Sequence, residues 1–389
     1  MKSKASSPLY GRIREILESA RAGVARSVNT TQVIANWLIG REIVEEEQKG
    51  ASRAEYGEQL IRDLAKKLSA EFGSGYSKDN LFWFRRLYHG YPELLDEKKF
   101  DAPRQISGAV RRKLPGKSYA LRSLSASEIL YAPRGESWRP GLLHPNLSWT
   151  HYRTLLRVEK SEARAFYEIE ALKNNWSARE LERQINSLLY ERLALSRDKK
   201  GLMRLAIKGH EVQRPADIFK DPMVMEFLGL PESPKLVETD LEQALLDNLQ
   251  AFLLELGKGF AFVARQQRLT LDGDHFYIDL VFYHTVLKCY VLIDLKTRKL
   301  SHEDLGQLQL YVNYYDRERR TEGDNPTLGL ILCADKNDAV VRYTLGLDQQ
   351  KKIFASRYKL YVPTEAELRA ELRREVKALT APRKHGGKI

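Results

Sequence analysis

Between Phe260 and Val362 the sequence alternates between apolar runs of strand length and stretches with helical spacing. Three strands are predicted first, with Asp272-Gly273 as a strong hairpin turn between two of them: Phe260–Leu271, His275–His284 and Lys288–Lys296. The apolar faces of strands and helices must be buried against one another, so such alternation confines the segment to a layered fold. We therefore predict a mixed α/β domain with a central sheet flanked by helices.

Further elements on both sides complete this domain. A capping box from Thr239 to Glu242 predicts a helix that runs to about Leu256, ahead of the strands. Behind the strands, the pattern predicts a helix, a strand, a helix, a strand and a capped final helix: His302–Tyr315, Thr327–Ala334, Asn337–Leu347, Tyr358–Val362 and a helix that begins at Thr364. We expect this domain to occupy residues 236–389.

The first hundred residues have helical periodicity throughout. Helices are predicted over 9–28, Thr31–Lys49, Tyr56–Phe72 and Lys78–Tyr88, the last of them capped by Ser77. The glycine-rich turn at 73–75 between two helices, followed by Lys78, Arg85 and Arg86, has the outline of a helix-turn-helix that contacts DNA. Packing within a helical bundle, or dimerisation, explains the same pattern, and the sequence leaves both readings open.

The middle of the chain is irregular and basic. Residues 101–146 contain five prolines, and residues 101–160 hold eleven Lys and Arg against four Asp and Glu. A long segment without periodicity predicts a linker, an insertion or a basic arm. Helices resume at Trp149, and a capping box from Ser177 to Glu180 opens a helix to about Ala194. The predicted organisation is therefore a helical domain at 1–100, the basic segment at 101–146, further helices and a linker at 147–235, and the α/β domain.

Charge and cysteine content narrow the class of partner. The formal net charge of +12 suits a polyanion, with nucleic acid as the first candidate, although a solvated basic surface explains it equally well. Cys289 and Cys333 both lie in apolar runs, which favours two buried free thiols in a reducing compartment, and we expect the cytoplasm. No apolar run approaches the length of a membrane span, so no membrane partner is expected.

Three polar residues stand out within the apolar strands. Asp279 lies in the second strand, with Tyr277 and Val281 expected on its face, and Asp294 and Lys296 share one face of the third strand. A hairpin between these strands brings the two carboxylates within about one position of each other. Close carboxylates repel unless a cation separates them, and carboxylate oxygens suit Mg²⁺. A structural ion pair between Asp294 and Lys296 is the competing interpretation.

Glu242 supplies a further acidic group. On a helical wheel it lies within the apolar stripe that contains Leu245, Leu249 and Leu253, so it is aimed at the sheet. The competing interpretation is that Glu242 only completes the capping box.

The order of these polar residues along the chain resembles the motif of the PD-(D/E)XK nuclease superfamily. The residues are Glu242, Asp279, Asp294-Leu295-Lys296, and Gln307 with Tyr311. Longer stretches are similar to the YhcG-type branch of that superfamily and to its N-terminal helical region. These stretches are GFAFVARQQRLTLDGDHFYIDLVFYH, VLIDLK, NPTLGLILCADKND, WLIGREIVEEEQKG, RAEYGEQLIRDLAKKLSAEFGSGYSKDNL and LSWTHYRTLL. The resemblance covers nearly the whole chain except 101–146, and it implies a restriction-endonuclease-like fold for the α/β domain.

The resemblance also implies roles for individual residues. Asp279 and Asp294 would ligate Mg²⁺ or Mn²⁺, with the backbone carbonyl of Leu295 and Glu242 as further ligands, and Lys296 would act at the attacking water. Gln307 and Tyr311 would contact the DNA backbone or support the lysine. Ile278 stands where a proline often precedes the first aspartate, and Asp294 stands where this branch more often has glutamate.

The sequence thus predicts a magnesium-dependent DNA endonuclease whose N-terminal helices bind DNA or a partner. A DNA-binding or scaffolding protein with a catalytically silent nuclease fold is the alternative. A homodimer is expected if both strands of a duplex are cut, since each chain has one site.

Overall fold

In the computed structural model, the chain forms two units: Met1–Arg183 with Met203–Gly209, and Gln184–Leu202 with His210–Ile389. The structure describes residues 8–49, 54–95, 138–195, 199–212, 214–233, 235–364, 366–368 and 370. Most of the basic segment predicted at 101–146, namely 101–137, lies outside the described residues.

Long helices begin the first unit. Its helices, together with those that follow up to residue 208, are α1 (Pro8–Lys49), α2 (Ala54–Phe72), α3 (Lys78–Gly90), α4 (Trp149–Leu155), α5 (Ser161–Lys173), α6 (Ala178–Asn186), α7 (Leu189–Leu195) and α8 (Lys199–Lys208). The prediction of two helices, at 9–28 and Thr31–Lys49, was wrong, because α1 runs through both. Asn29 and Thr30 are poor helix formers, but each keeps the amide hydrogen that a proline would remove.

Sequence signals located α3 and α6 correctly. The Ser77 hydroxyl accepts a hydrogen bond from the backbone N–H of Asn80 at 3.4 Å, which confirms the predicted cap. The Ser177 and Glu180 side chains each accept a hydrogen bond from the other's backbone N–H, as a capping box requires. The helix predicted to reach Ala194 is instead interrupted between α6 and α7, where Leu188 has a positive φ of 54°.

The second unit is built around one sheet. Its strands are β1 (Met223–Val224), β2 (Phe260–Leu271), β3 (Asp274–His284), β4 (Cys289–Lys299), β5 (Leu328–Asp335) and β6 (Ile353–Lys359). The sheet order is β1-β6-β5-β4-β3-β2. β2, β3 and β4 pair antiparallel, whereas β4, β5, β6 and β1 pair parallel, so the predicted mixed sheet is confirmed.

Helices cover both faces of this sheet. The helices are α9 (Glu238–Asp247), α10 (Leu249–Leu256), α11 (His302–Glu318) and α12 (Asp338–Thr344). One core lies on the α9 and α10 side, where Leu241 and Phe252 pack with Leu280 and Ile293. The other core lies on the α11 side, where Leu305, Leu308 and Tyr311 pack with Ile278 and Leu292.

Several predicted boundaries in this unit were wrong. α9 begins at Glu238 with Val237 at its N-cap, so the Thr239–Glu242 capping box does not form, and Asn248 interrupts the helix predicted to reach Leu256. The last strand begins at Ile353 rather than Tyr358, because its residues pair with the buried strand β5. Asp338–Thr344 is shorter than the predicted helix. The cap at Thr364 does form with Glu367, although most of the helix behind it lies outside the described residues.

Both cysteines are free and buried, as predicted. Within the part of the chain that the structure describes, no helix is both long and apolar enough to cross a membrane.

Candidate active site

The candidate site lies where β3 and β4 separate. Their antiparallel pairing ends at Leu280 and Ile293, and Asp279 and Asp294 are the next residues on each strand. β4 continues beyond this point, but it then pairs only with β5. The backbone N–H of Leu295 donates to Oδ2 of Asp279 at 2.7 Å, in place of a strand-to-strand bond. The two aspartates predicted to converge are therefore neighbours at the point of divergence.

The β2–β3 hairpin exchanges its two faces at this same position. Leu280 packs in the core on the α9 side, yet Ile278, two residues away, packs in the core on the α11 side. On β2, Gln266 has a positive φ of 43°, which non-glycine residues rarely adopt. The prediction that Tyr277 and Val281 share one face with Asp279 was therefore wrong, since Val281 is buried on the α11 side and Tyr277 is exposed on the other.

Asp294 and Lys296 form a buried ion pair. Nζ of Lys296 lies 2.8 Å from Oδ2 of Asp294 and 3.8 Å from a carboxylate oxygen of Glu238 at the start of α9. Asp294 is 2% exposed, and its Oδ2 accepts no well-aligned hydrogen bond. Burial raises the pKa of Asp294 to about 7 although Lys296 opposes the shift. Burial lowers the pKa of Lys296, but the nearby carboxylate of Asp294 outweighs it and raises the pKa overall.

Glu242 and Asp279 are joined by the amide of Gln266. Its Nε2 donates to Oε2 of Glu242 at 2.6 Å and to Oδ1 of Asp279 at 3.0 Å. Burial raises the pKa of both carboxyl groups, while the hydrogen bonds from Gln266 and Leu295 oppose the shift. Glu242 is aimed at the sheet, as predicted, and the competing interpretation of Glu242 as a helix cap was wrong, because its side chain meets Gln266 on β2.

The helix α11 brings Gln307 and Tyr311 beside this cluster. Nε2 of Gln307 donates to the hydroxyl of Tyr311 at 2.6 Å. Tyr311 is fully buried, and burial together with the charges of Asp294 and Asp279 raises its pKa against the opposing effects of Gln307 and Lys296. A buried hydroxyl suits the predicted supporting role better than direct contact with DNA, whereas Gln307 is exposed.

The start of α11 is fixed to the end of β4. The Arg298 guanidinium donates to both carboxylate oxygens of Asp304, at 2.9 and 2.7 Å. Ser301 and Asp304 also form a capping box, so the first turn of the helix is tied to the strand that carries Asp294 and Lys296.

The donor set fits a hard divalent cation. Asp279, Asp294 and Glu242 offer only oxygen ligands, and a cation would relieve the burial cost that raises their pKa values. The described residues hold no ready-formed group of three or more His, Cys, Asp or Glu at metal-binding geometry. Mg²⁺ needs no such cage, since it is usually held by one or two carboxylates, waters and substrate phosphate oxygens.

The cations predicted to bind DNA lie on α3 in the first unit. Lys78 and Arg85 both lie over the ring of Phe82, at 5.7 and 4.8 Å, and Arg86 lies over Trp83 at 5.3 Å. Arg85 also forms an ion pair with Glu47 at 2.9 Å. Arg86 is the exposed member of this set.

Sequence reasoning missed Gln266 and Glu238. The signal for Gln266 was available: the turn at Asp272-Gly273 pairs Leu271 with Asp274, and counting back along both strands places Gln266 opposite Asp279. Glu238 carries no such signal, because its approach to Lys296 depends on how α9 packs on the sheet.

Comparisons with known proteins agree with this architecture. Residues 216–375 match the model described as the YhcG PDDEXK nuclease domain, and residues 12–192 match the model described as the DUF1016 N-terminal domain. The chain is 36% identical to the "Putative nuclease YhcG" of Escherichia coli (strain K12) over 366 residues, which is 94% of this chain and 92% of that protein.

Two solved structures are also similar. One is described as a repair endonuclease from Pyrococcus abyssi, with 16% identity over 34% of this chain and 50% of that chain and a TM-score of 0.24. The other is an EndoMS–dsDNA2 complex, with 16% identity over 35% of this chain and 47% of that chain and a TM-score of 0.25.

One conclusion follows from the fold, the site and the comparisons together. The fold has a helical first part and a mixed sheet, the site has Asp279 and the Asp294-x-Lys296 residues, and both family models match. This chain belongs to the YhcG family of PD-(D/E)XK nucleases.

Proposed function

We propose that this protein is a metal-dependent endonuclease that hydrolyses DNA phosphodiester bonds where β3 and β4 diverge. The observation that carries the proposal is the convergence of Asp279 with the buried pair of Asp294 and Lys296. Burying these charges in apolar strands costs free energy. A strand with a purely structural role would carry apolar residues at these positions instead.

Asp279, Asp294 and the backbone carbonyl of Leu295 are the proposed ligands of Mg²⁺ or Mn²⁺, with Glu242 as a fourth. When bound, such an ion polarises the scissile phosphate and lowers the pKa of a bound water. The Gln266 amide holds Glu242 and Asp279 in place through its two hydrogen bonds.

Lys296 has a distinct part in this proposal. Asp294 raises its pKa, which favours the charged ammonium form. Its ammonium group orients the attacking water and stabilises the negative charge that develops as oxygen adds to phosphorus and the bond to the leaving oxygen breaks. Tyr311, held by Gln307, supports this end of the site.

The N-terminal helices are proposed to bind DNA through α3. Basic side chains stacked on aromatic rings are typical of surfaces that contact a nucleic-acid backbone. Arg153 on α4 extends the set, since its guanidinium lies 5.4 Å from the Trp83 ring that Arg86 also contacts. A protein partner for these helices is the competing assignment.

One observation favours the alternative of a silent nuclease fold. The described residues hold no preformed group of three metal-ligating side chains, and the Gln266 amide already bridges two carboxylates. A silent fold predicts DNA binding that falls with salt and no cleavage under any metal condition.

A cleavage panel decides between the two functions. Purified protein is incubated with duplex, single-stranded and branched DNA and with RNA, in Mg²⁺, in Mn²⁺ and in a chelator. We expect DNA cutting that needs the metal and is lost in Asp279→Ala, Asp294→Ala and Lys296→Ala. Asp348→Asn, at an exposed surface carboxylate, is the matched control and should cut normally.

Cutting that persists in all three site variants would refute the site, and binding without cutting in any condition would favour the silent fold. Light scattering of the protein with and without DNA tests the homodimer that cutting of both strands would require.

A further inference from the structure

The outer half of the β2–β3 hairpin extends beyond the rest of the sheet. β3 pairs with β4 only from Leu280 onward, whereas its earlier residues pair with β2 alone. One face of this outer half is covered, because Leu269, Phe276 and Ile278 pack in the core on the α11 side. The opposite face is exposed and carries Arg268, Thr270, His275 and Tyr277, which we call the outer face of the hairpin.

These four side chains form one connected row. Arg268 is paired across the strands with Tyr277, and Thr270 with His275. Nε of Arg268 donates to the Thr270 hydroxyl at 3.3 Å, and that hydroxyl lies 3.2 Å from Nδ1 of His275. Tyr277 is 47% exposed, so much of its ring is open to solvent on this face.

The charge of Arg268 is not neutralised by the described residues. Its guanidinium has no carboxylate within ion-pair distance among them, and Thr270 is its hydrogen-bond partner. A cation and an aromatic ring placed side by side are the two groups that hold a nucleic-acid strand, one for a phosphate and one for a base.

The row leads directly to the candidate site. Two residues inward from Arg268 and Tyr277 are Gln266 and Asp279, which is a step of about 7 Å along a strand. A metal ion at the site would hold only the scissile phosphate, whereas the carboxylates that line the site repel the rest of a phosphate backbone. A substrate strand therefore needs favourable contacts beside the site, and the outer face supplies them on the hairpin that also carries Asp279.

We propose that the outer face of the hairpin binds the nucleic-acid strand next to the scissile phosphate, with Arg268 on a phosphate and Tyr277 stacked on an unpaired base. This inference rests on the proposed nuclease function and deepens it by naming the substrate class. Stacking on an exposed tyrosine requires a base that is free of its own partner, so the preferred substrate has a single-stranded stretch beside the cut.

The turn limits how far this contact extends. Asp272 and Asp274 are exposed at the tip of the hairpin, beyond His275, and they repel a backbone that continues in that direction. The outer face is therefore long enough for one or two nucleotides and not for an extended groove.

Local cross-linking tests the contact without interference from DNA bound elsewhere on the chain. The full-length protein, in chelator, is irradiated with a single-stranded oligonucleotide that contains 4-thiothymidine, and the adducts are located by mass spectrometry. We expect an adduct on the tryptic peptide Leu269–Lys288, lost in Tyr277→Ala and kept in Tyr277→Phe. No adduct on this peptide, with cross-links elsewhere, would overturn the proposal.

Binding affinity supplies the second readout. Arg268→Ala and Tyr277→Ala should each weaken binding of single-stranded DNA by roughly tenfold. Tyr277→Ala should change duplex binding much less, and Arg268→Ala should lower the salt dependence by about one contact. Arg317→Ala, at an exposed arginine on α11, is the matched control.

The two proposals fail in different ways. If the protein cuts DNA but both hairpin variants behave like Arg317→Ala while remaining folded, the outer face is only a solvated surface. If the protein never cuts DNA but the adduct on the hairpin forms, the contact stands and the nuclease function falls.

Discussion

Two buried carboxyl groups, one in each unit, have the same burial and very different surroundings. Asp294 on β4 and Glu168 on α5 are both 2% exposed, and burial raises the pKa of each to about 7. Asp294 lies beside Lys296 and close to Asp279. Glu168 instead accepts a hydrogen bond from the backbone N–H of Gly141 at 2.8 Å, near the buried Tyr91 and Tyr152 and the charge of Arg164.

The difference shows what a perturbed pKa does and does not indicate. Burial alone produces the shift in both places, so the shift by itself does not mark a reactive site. A cation acts on each carboxyl group, and what separates Asp294 is the second carboxylate of Asp279 beside it and the position of the pair where two strands diverge. Glu168 is a structural acceptor that satisfies the part-buried backbone N–H group of Gly141.

The largest expected effect is a difference in DNA cleavage between variants of the two carboxyl groups. Asp294→Asn should lower DNA cleavage by at least 10²–10³-fold, on the order of what loss of one charge-stabilising group costs. Glu168→Gln should leave cleavage at the wild-type level, because it touches no part of the proposed site. Single-turnover cleavage rates measure both, and equal losses in the two variants would contradict the comparison.

The second prediction concerns stability and pH. The Glu168 pKa rises from 4.5 to about 7 on folding, so the folded state binds the proton more tightly than the unfolded state. Its contribution to stability is complete below pH 4.5 and is lost as the pH rises through about 7. The loss is of the order of 3 kcal/mol at most.

Glu168→Gln should therefore remove this part of the pH dependence and be the more stable protein at pH 8. Urea unfolding followed by tryptophan fluorescence at pH 5, 6.5 and 8 measures the effect. Parallel pH profiles for the variant and the wild type would show that Glu168 does not cause the dependence.

The third prediction tests whether the carboxylates near Asp294 are held in place. Asparagine tolerates the positive φ at this position and keeps the amide group, so Gln266→Asn should not strain the backbone. Its side chain is one methylene shorter, however, and cannot reach both Glu242 and Asp279. We expect kcat/KM for cleavage to fall by roughly tenfold, with a melting temperature close to that of the wild type. Gln267→Asn is the neighbouring control, since its amide contacts only a backbone carbonyl.

The smallest expected effect concerns DNA binding, and it compares the cationic side chains of the two units. Lys296 is buried and paired, whereas Arg86 is exposed and stacked on Trp83, and Arg85 is engaged by Glu47. Arg86→Ala should weaken DNA binding a few-fold and reduce the salt dependence by about one contact. Arg85→Ala should do less, because its charge is already partly neutralised, and a larger effect of Arg85→Ala would reverse this order.

Much of the secondary structure in both units could be predicted from local sequence signals. The bounds of β2, the turn at Asp272-Gly273 and the cap of α3 at Ser77 follow from side-chain period, positive-φ turn residues and hydroxyl capping. The prediction of element bounds failed where pairing with a segment distant in sequence determines the structure. The last strand was misplaced because its pairing with β5 overrides its local pattern.

The candidate site divides in the same way. The sequence by itself determined which groups are available: Asp279, Asp294 and Lys296 in strands too apolar to hold them without cause, and Glu242 on a core-facing helix. Only the tertiary structure decided how they meet. The face exchange at Gln266 and Asp279, the Gln266 bridge and the approach of Glu238 to Lys296 all depend on contacts between separate elements. Local spacing determines which face of its strand or helix a side chain lies on. Long-range pairing and packing determine which other side chains it contacts.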